Sequence, residues 1–133
     1  MIRIPQKLYD ELIAHCRSEY PKEACGFLVA NAAGTLEKVY PMKNVENSPI
    51  GYAMDPREQL AVEKEMRQHD QKPVVIYHSH TASAAVPSPV DIELAISPEI
   101  SYVIVSLQDR AKPDLRSYKI DGERPREEKV FRV

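Results

Sequence analysis

The sequence is poor in several features that would otherwise decide its class. It holds two cysteines, Cys16 and Cys25, too few for a disulfide framework. Its apolar stretches are short and soon broken by charge, so no transmembrane helix fits. Its start, Met1-Ile2-Arg3-Ile4-Pro5, lacks the apolar stretch of a signal peptide. Charge of one sign is missing too: 18 Lys and Arg against 20 Asp and Glu leave a net charge of −2. That balance speaks against binding nucleic acid by phosphate neutralisation. No repeat or low-complexity tract is visible. Four glycines stand against eleven prolines, so loops are stiffened by proline more than loosened by glycine. With 133 residues, 43% of them hydrophobic, the chain has the size of one domain with one real core. The expectation is a single cytoplasmic domain over residues 1–133, with no nucleic-acid or membrane partner.

The patterning that is present suggests alternating helices and strands. Leu8, Leu12, Cys16 and Tyr20 recur every four residues and mark one face of a helix over residues 6–20, bounded by Pro5 and Pro21. The apolar run 24–30, the turn residues Asn31 and Gly34, and the alternating run 35–40 read as a β-hairpin. Residues 41–49 read as a loop, and residues 50–54 as a short strand. Asp55-Pro56-Arg57-Glu58 reads as a helix start, with Asp55 as cap and Glu58 completing a capping box; that helix runs to about Gln68. The β-branched run 73–77 is a buried strand. Ser88-Pro89-Val90-Asp91 opens a short third helix that includes Leu94 and Ile96. Residues 101–107 form another core strand, and 115–120 and 129–133 later, more exposed ones. The fold class expected is an α/β sandwich, a mixed sheet covered by helices.

Two of the four histidines, His78 and His80, follow directly on the strand 73–77. Residues i and i+2 of a strand share a face, so the two imidazoles project side by side. Imidazole is a common zinc ligand. Ser88 and Asp91 follow at an offset of one helical turn. A third ligand from Asp91 would give three protein ligands and one exchangeable position, the pattern of catalytic rather than structural zinc sites. Each piece has a plainer reading: a hydrogen-bonded histidine pair, and a helix cap with an acidic first turn. By composition alone, this combination of offsets arises roughly a few times in ten thousand. Glu23, between the first helix and the first core strand, is the nearest candidate for a base, although an acid at a helix end is commonly only solvated. Cys25, His15 and Cys16 read as packing, His69 as a helix-end residue, and Glu93 as a surface acid. The loop 44–49 reads either as a holder for an extended substrate tail or as a stiff connection.

His78-Ser79-His80, seven residues, Ser88, two residues, Asp91, with an upstream Glu in Glu23-Ala24-Cys25-Gly26, resembles the JAMM motif of the JAB1/MPN/Mov34 metalloenzyme family. The resemblance runs from the first helix to about Leu107. It implies a cytidine-deaminase-like α/β/α sandwich and zinc-dependent peptidase or isopeptidase activity with one zinc ion per chain. It places ligand roles on His78, His80 and Asp91, and the general acid/base role on Glu23. It places on Ser88 a hydrogen bond to the polarised carbonyl. Thr81 stands where most eukaryotic deubiquitinating members have proline, which brings the chain nearer the small prokaryotic members. Some of those process ubiquitin-like sulfur-carrier proteins after a C-terminal Gly-Gly, and one branch releases cysteine from such a carrier. Such a carrier is thus the partner the resemblance implies; a homodimer stays open. Two other classes remain in play: a non-catalytic scaffold on the same fold, and a zinc hydrolase of a small amide or nucleobase. Against the last, the H-x-E with P-C-x-x-C deaminase pattern is absent.

Overall fold

A computed structural model describes residues 1–46, 50–95 and 97–133. The first strand, β1 (Ile2–Ile4), leads into the helix α1 (Gln6–Glu19). Leu8, Leu12 and Cys16 are buried as their spacing predicts, but Tyr20 lies beyond the helix and is exposed. A hairpin follows, β2 (Cys25–Ala30) and β3 (Leu36–Met42). Asn31 builds its turn: the Oδ1 atom accepts from the N–H groups of Ala33 and Thr35, both at 3.0 Å. Gly34 in that turn has φ +86°, a conformation that favours glycine.

The helix α2 (Pro56–Gln68) begins at the expected Asp55 cap, which accepts from the Arg57 N–H at 2.9 Å. Glu58 does not complete a capping box. Its carboxylate accepts instead from the Lys43 N–H at 2.9 Å and so ties the helix start to the end of β3. Residues 50–54 form no strand among the described residues; a single bridge pairs Asn44 with Met54. Next come β4 (Lys72–His80), the short helix α3 (Pro89–Leu94) and β5 (Ser101–Ser106). Ile96, expected in α3, lies outside the described residues, as do positions 47–49 of the loop 44–49. The chain ends with β6 (Asp114–Asp121), β7 (Arg124–Glu128) and β8 (Val130–Arg132). Strand β6 is more exposed than the fully buried β5, as expected, although Ser117, Tyr118 and Ile120 are buried.

Six strands form one mixed sheet in the order β3-β2-β4-β5-β6-β7, and β1 pairs with β8 in a small second sheet. The β4–β5 pair is parallel and its neighbours are antiparallel. Both edge strands carry proline, Pro41 in β3 and Pro125 in β7. Proline cannot donate to a ladder and is tolerated at such edges.

Alternation along the central strands sorts side chains to two faces. On one face Leu28, Val75, Tyr77, Val103 and Val105 pack against Leu8, Leu12 and Cys16 of α1. On the other, Phe27, Val29 and Ile76 pack with Met66 and Val62 of α2, and Tyr102, Ile104 and Tyr118 with Ile92 of α3. The architecture is therefore the expected α/β/α sandwich. His78 has the parity of Ile76, so the imidazoles rise on the face shared by α2 and α3. Gly26 meets the sheet at its tightest point: a Cβ there would lie 2.5 Å from the Tyr40 carbonyl oxygen and the Tyr77 ring.

Candidate active site

The site is assembled where three chain segments meet at the end of β4. Cys25 pairs with His78 across the antiparallel β2–β4 ladder. Continuing that register places Glu23 across from His80, on the same face of the sheet. Glu23 is buried, and burial pushes its carboxyl up to about 7; nearby His80 works against that rise and Asp91 adds to it.

The loop after β4 turns the chain back over the sheet and is pinned at three successive carbonyls. Ser106 Oγ donates to Ser83 at 2.6 Å, His80 Nδ1 contacts the Ala84 carbonyl at 2.9 Å, and Tyr118 Oη donates to Ala85 at 2.6 Å. This loop delivers α3, which opens with a reciprocal capping box. The Asp91 N–H donates to Ser88 Oγ at 3.1 Å, and the Ser88 N–H donates to Asp91 Oδ2 at 2.9 Å. The cap thus aims the Asp91 carboxylate at the histidines. Asp91 Oδ1 lies 3.1 Å from His78 Nε2, and Oδ2 lies 3.0 Å from His80 Nε2. The two Nε2 atoms are 3.1 Å apart.

The donor set fits a small divalent cation. A carbonyl oxygen can only accept, so the proton of a neutral His80 sits on Nδ1 and leaves the Nε2 lone pair facing Asp91. Metal-ligating histidines characteristically donate their second N–H in this way. The His80 lone pair, the His78 Nε2 atom and the Asp91 carboxylate then converge, an arrangement that calls for a positive charge between them. A proton supplies it in part. Burial lowers the His80 pKa, but the hydrogen bonds to Asp91 and Ala84 outweigh it and raise the balance. For Asp91 burial again opposes the charged form, and the hydrogen bonds from His78 and His80 hold its carboxyl far below the usual range. Ligands about 2.0–2.1 Å from a tetrahedral zinc stand about 3.3 Å apart, close to the separations found here. Among the described residues, His78, His80 and Asp91 are the cluster with metal-ligand geometry. Neither cysteine joins it; burial pushes both thiols up to about 12, far from the thiolate form a zinc ligand needs.

In front of the cluster lies a cleft of about 330 Å³, lined by Glu23, Tyr52, His80, Ser88 and Asp91. Ile50, Val90 and Leu94 line it too and are exposed. The structure therefore brings together all five residues singled out in the sequence.

Sequence reasoning missed several residues around them. Tyr52 stacks on His78, with ring centroids 4.8 Å apart and planes 26° apart. Buried Asn44 bonds the Glu23 carbonyl, and Ser79 bonds the Ala24 N–H. His15, which has no partner by spacing, meets Tyr77 Oη at 2.6 Å on the α1 face. Ser79 carries a signal in hindsight, as the polar residue between two histidines whose parity turns it to the opposite face. Asn44 opens the loop 44–49, read as a substrate holder or a stiff connection, and Tyr52 lies in the expected strand 50–54; neither reading points to these contacts.

Residues 5–121 match the family described as prokaryotic homologs of the JAB domain. A CysO-cysteine peptidase of Mycobacterium tuberculosis is 46% identical over 117 residues, covering 86% of this chain and 80% of that protein. The desampylase of Haloferax volcanii is 33% identical over 107 residues, covering 76% of this chain and 77% of its own. A Thermus thermophilus protein named "Probable TtuB-protein conjugate cleaving protease" is 35% identical over 96 residues, covering 71% of this chain and 64% of its own. Among solved structures, a Desulfitobacterium hafniense protein superposes with TM-score 0.89 at 39% identity, covering 100% of this chain and 93% of its own. A JAB1/MPN domain protein from Archaeoglobus fulgidus has TM-score 0.64 at 16% identity, covering 99% and 97%, a likeness of fold alone.

Proposed function

The chain belongs to the prokaryotic JAB-domain family, and on that premise we propose that it is a zinc-dependent peptidase acting at the C-terminus of a ubiquitin-like sulfur-carrier protein. The observation that carries the reading is the convergence of His78, His80 and Asp91 beside buried Glu23 in one open cleft. The relatives named CysO-cysteine peptidase, probable TtuB-protein conjugate cleaving protease and desampylase support that substrate class. The higher identity to a CysO-cysteine peptidase favours an amino acid added to the carrier's C-terminus over a lysine conjugate.

In this reading His78, His80 and Asp91 would hold one zinc ion, which when bound would lower the pKa of a water toward 7 and supply a polarising charge for the scissile carbonyl. Glu23 takes the proton of the attacking water and returns it to the leaving amine. Without the metal, burial pushes its carboxyl up to about 7; a bound cation would favour the carboxylate and so the base form that accepts the proton. Ser88 Oγ accepts from the Asp91 N–H and keeps its own proton to donate toward the substrate carbonyl oxygen. Exposed Ile50, Val90 and Leu94 give an extended tail apolar contacts on its way to the cleft.

The test incubates the zinc-loaded protein with a Gly-Gly-ending carrier, once extended by cysteine and once conjugated to a lysine side chain, and follows intact mass. Removal of the added cysteine, abolished by chelator, is expected. Release of the lysine conjugate alone would move the assignment to isopeptide bonds. No cleavage by a protein that holds no metal would favour the scaffold reading.

A further inference from the structure

Two buried side chains with no part in the chemistry described so far grip one peptide bond. The bond joins Glu23 to Ala24. Its carbonyl, that of Glu23, accepts from Asn44 Nδ2 at 2.9 Å. Its N–H, that of Ala24, donates to Ser79 Oγ at 2.8 Å. The carbonyl and N–H of a trans peptide point in opposite directions, so the two side chains hold the unit from opposite sides. Ser79 is fully buried and Asn44 is 7% exposed. The Ser79 N–H also donates to the Ala24 carbonyl at 3.0 Å.

Asn44 is itself over-determined. Nδ2 donates a second bond to the Gly51 carbonyl at 3.1 Å, while Oδ1 accepts from the Glu46 and Ala53 N–H groups at 2.9 and 3.1 Å. Two carbonyls on one side and two N–H groups on the other leave a single orientation for the carboxamide. The same residue therefore fixes the backbone on both sides of Tyr52, whose ring stacks on His78.

We propose that Asn44 and Ser79 are positioning residues that clamp the Glu23–Ala24 peptide and so aim the Glu23 carboxylate at the His78–His80–Asp91 cluster. The proposal rests on the peptidase reading for its catalytic consequence. The physical reason is geometric. Rotation of that peptide plane is the ψ rotation of Glu23, and it swings the residue's side chain relative to β4. A misplacement of about 1 Å in a reacting group can cost roughly 10²-fold in rate. Ser79 is bracketed by the two histidines, so the clamp ties the base to the strand that presents the cluster.

Asn44→Asp and Ser79→Ala test the two sides separately. The first is isosteric and keeps the Oδ1 bonds, but sets an acceptor against the Glu23 and Gly51 carbonyls. Three measurements are made on each variant: hydrogen exchange of the Ala24 amide in zinc-free protein, zinc stoichiometry, and kcat and KM on the cysteine-extended carrier. Exchange at Ala24 is expected to quicken about 10-fold or more, with zinc stoichiometry unchanged. The kcat is expected to fall about 10- to 100-fold while KM stays within about twofold. Unchanged Ala24 exchange in both variants overturns the clamp, whatever the activity. Faster exchange with unchanged kcat overturns the positioning role. Should the wild-type protein cleave neither carrier, the peptidase reading fails and the positioning role with it, while Ala24 exchange still decides the clamp. Where Asn44→Asp does not fold, Ser79→Ala decides from the other side of the same peptide.

Discussion

Replacing Glu23 with glutamine should change how stability depends on pH. The Glu23 carboxyl is raised from 4.5 to about 7 in the folded chain, chiefly because burial penalises the carboxylate. Between those values the folded state holds a proton that the unfolded state has released. Stability must therefore fall as pH rises from about 4.5 to about 7, and this contribution is flat above. At about 1.4 kcal/mol per pKa unit, the difference corresponds to about 3 kcal/mol. Glutamine fills nearly the same volume and cannot ionise. In zinc-free protein, the stability of Glu23→Gln relative to wild type should rise by about 3 kcal/mol between pH 4.5 and pH 8. Urea unfolding at several pH values reads this directly, because the titrating groups other than the coupled His80 and Asp91 act alike on both proteins and cancel. Parallel stability profiles for the two proteins would refute the reasoning. They would mean that Glu23 is solvated and carries no raised pKa.

Other expectations follow from single contacts. Ser88→Ala removes both a cap and the proposed donor; turnover on the carrier should fall about 10²- to 10³-fold, while thermal unfolding shows a loss of about 1 kcal/mol. Gly26→Ala places a Cβ 2.5 Å from backbone and from the Tyr77 ring, so chemical denaturation should show a loss of about 1–3 kcal/mol. Leu12→Ala empties a fully buried position of α1 and should cost about 2–5 kcal/mol by the same measurement, with zinc binding retained.

Much of this molecule is legible in its sequence, and the failures have local causes. The helix α1 announces itself by apolar residues four apart, and β4 and β5 by β-branched runs. The histidine pair, the Ser88 cap and Asp91 are visible because strand parity and one helical turn fix which residues share a face. Strand β1 is three residues long, too short to show a period, and its partner β8 lies at the other end of the chain. Strand β7 reads Arg-Pro-Arg-Glu-Glu, a polar edge with no buried alternation to reveal it. Glu58 has the spacing of a capping box, but the nearby Lys43 N–H takes its carboxylate, a tertiary contact that local spacing does not contain. Asn44 and Tyr52 acquire their roles only through tertiary contacts, Asn44 with the Glu23 carbonyl and Tyr52 with the His78 ring. The alternative readings of His78 and Asp91 also prove compatible with the functional one, since the cap that satisfies α3 is what orients the carboxylate.

In the proposed mechanism His78, His80 and Asp91 hold a metal that Glu23 needs for cleavage. Its most direct test measures zinc content and carrier cleavage together in wild type, Glu23→Ala and His78→Ala. About one zinc per chain and cleavage are expected in wild type, zinc without cleavage in Glu23→Ala, and neither in His78→Ala. Full cleavage by Glu23→Ala, or zinc retained at wild-type affinity by His78→Ala, would contradict it.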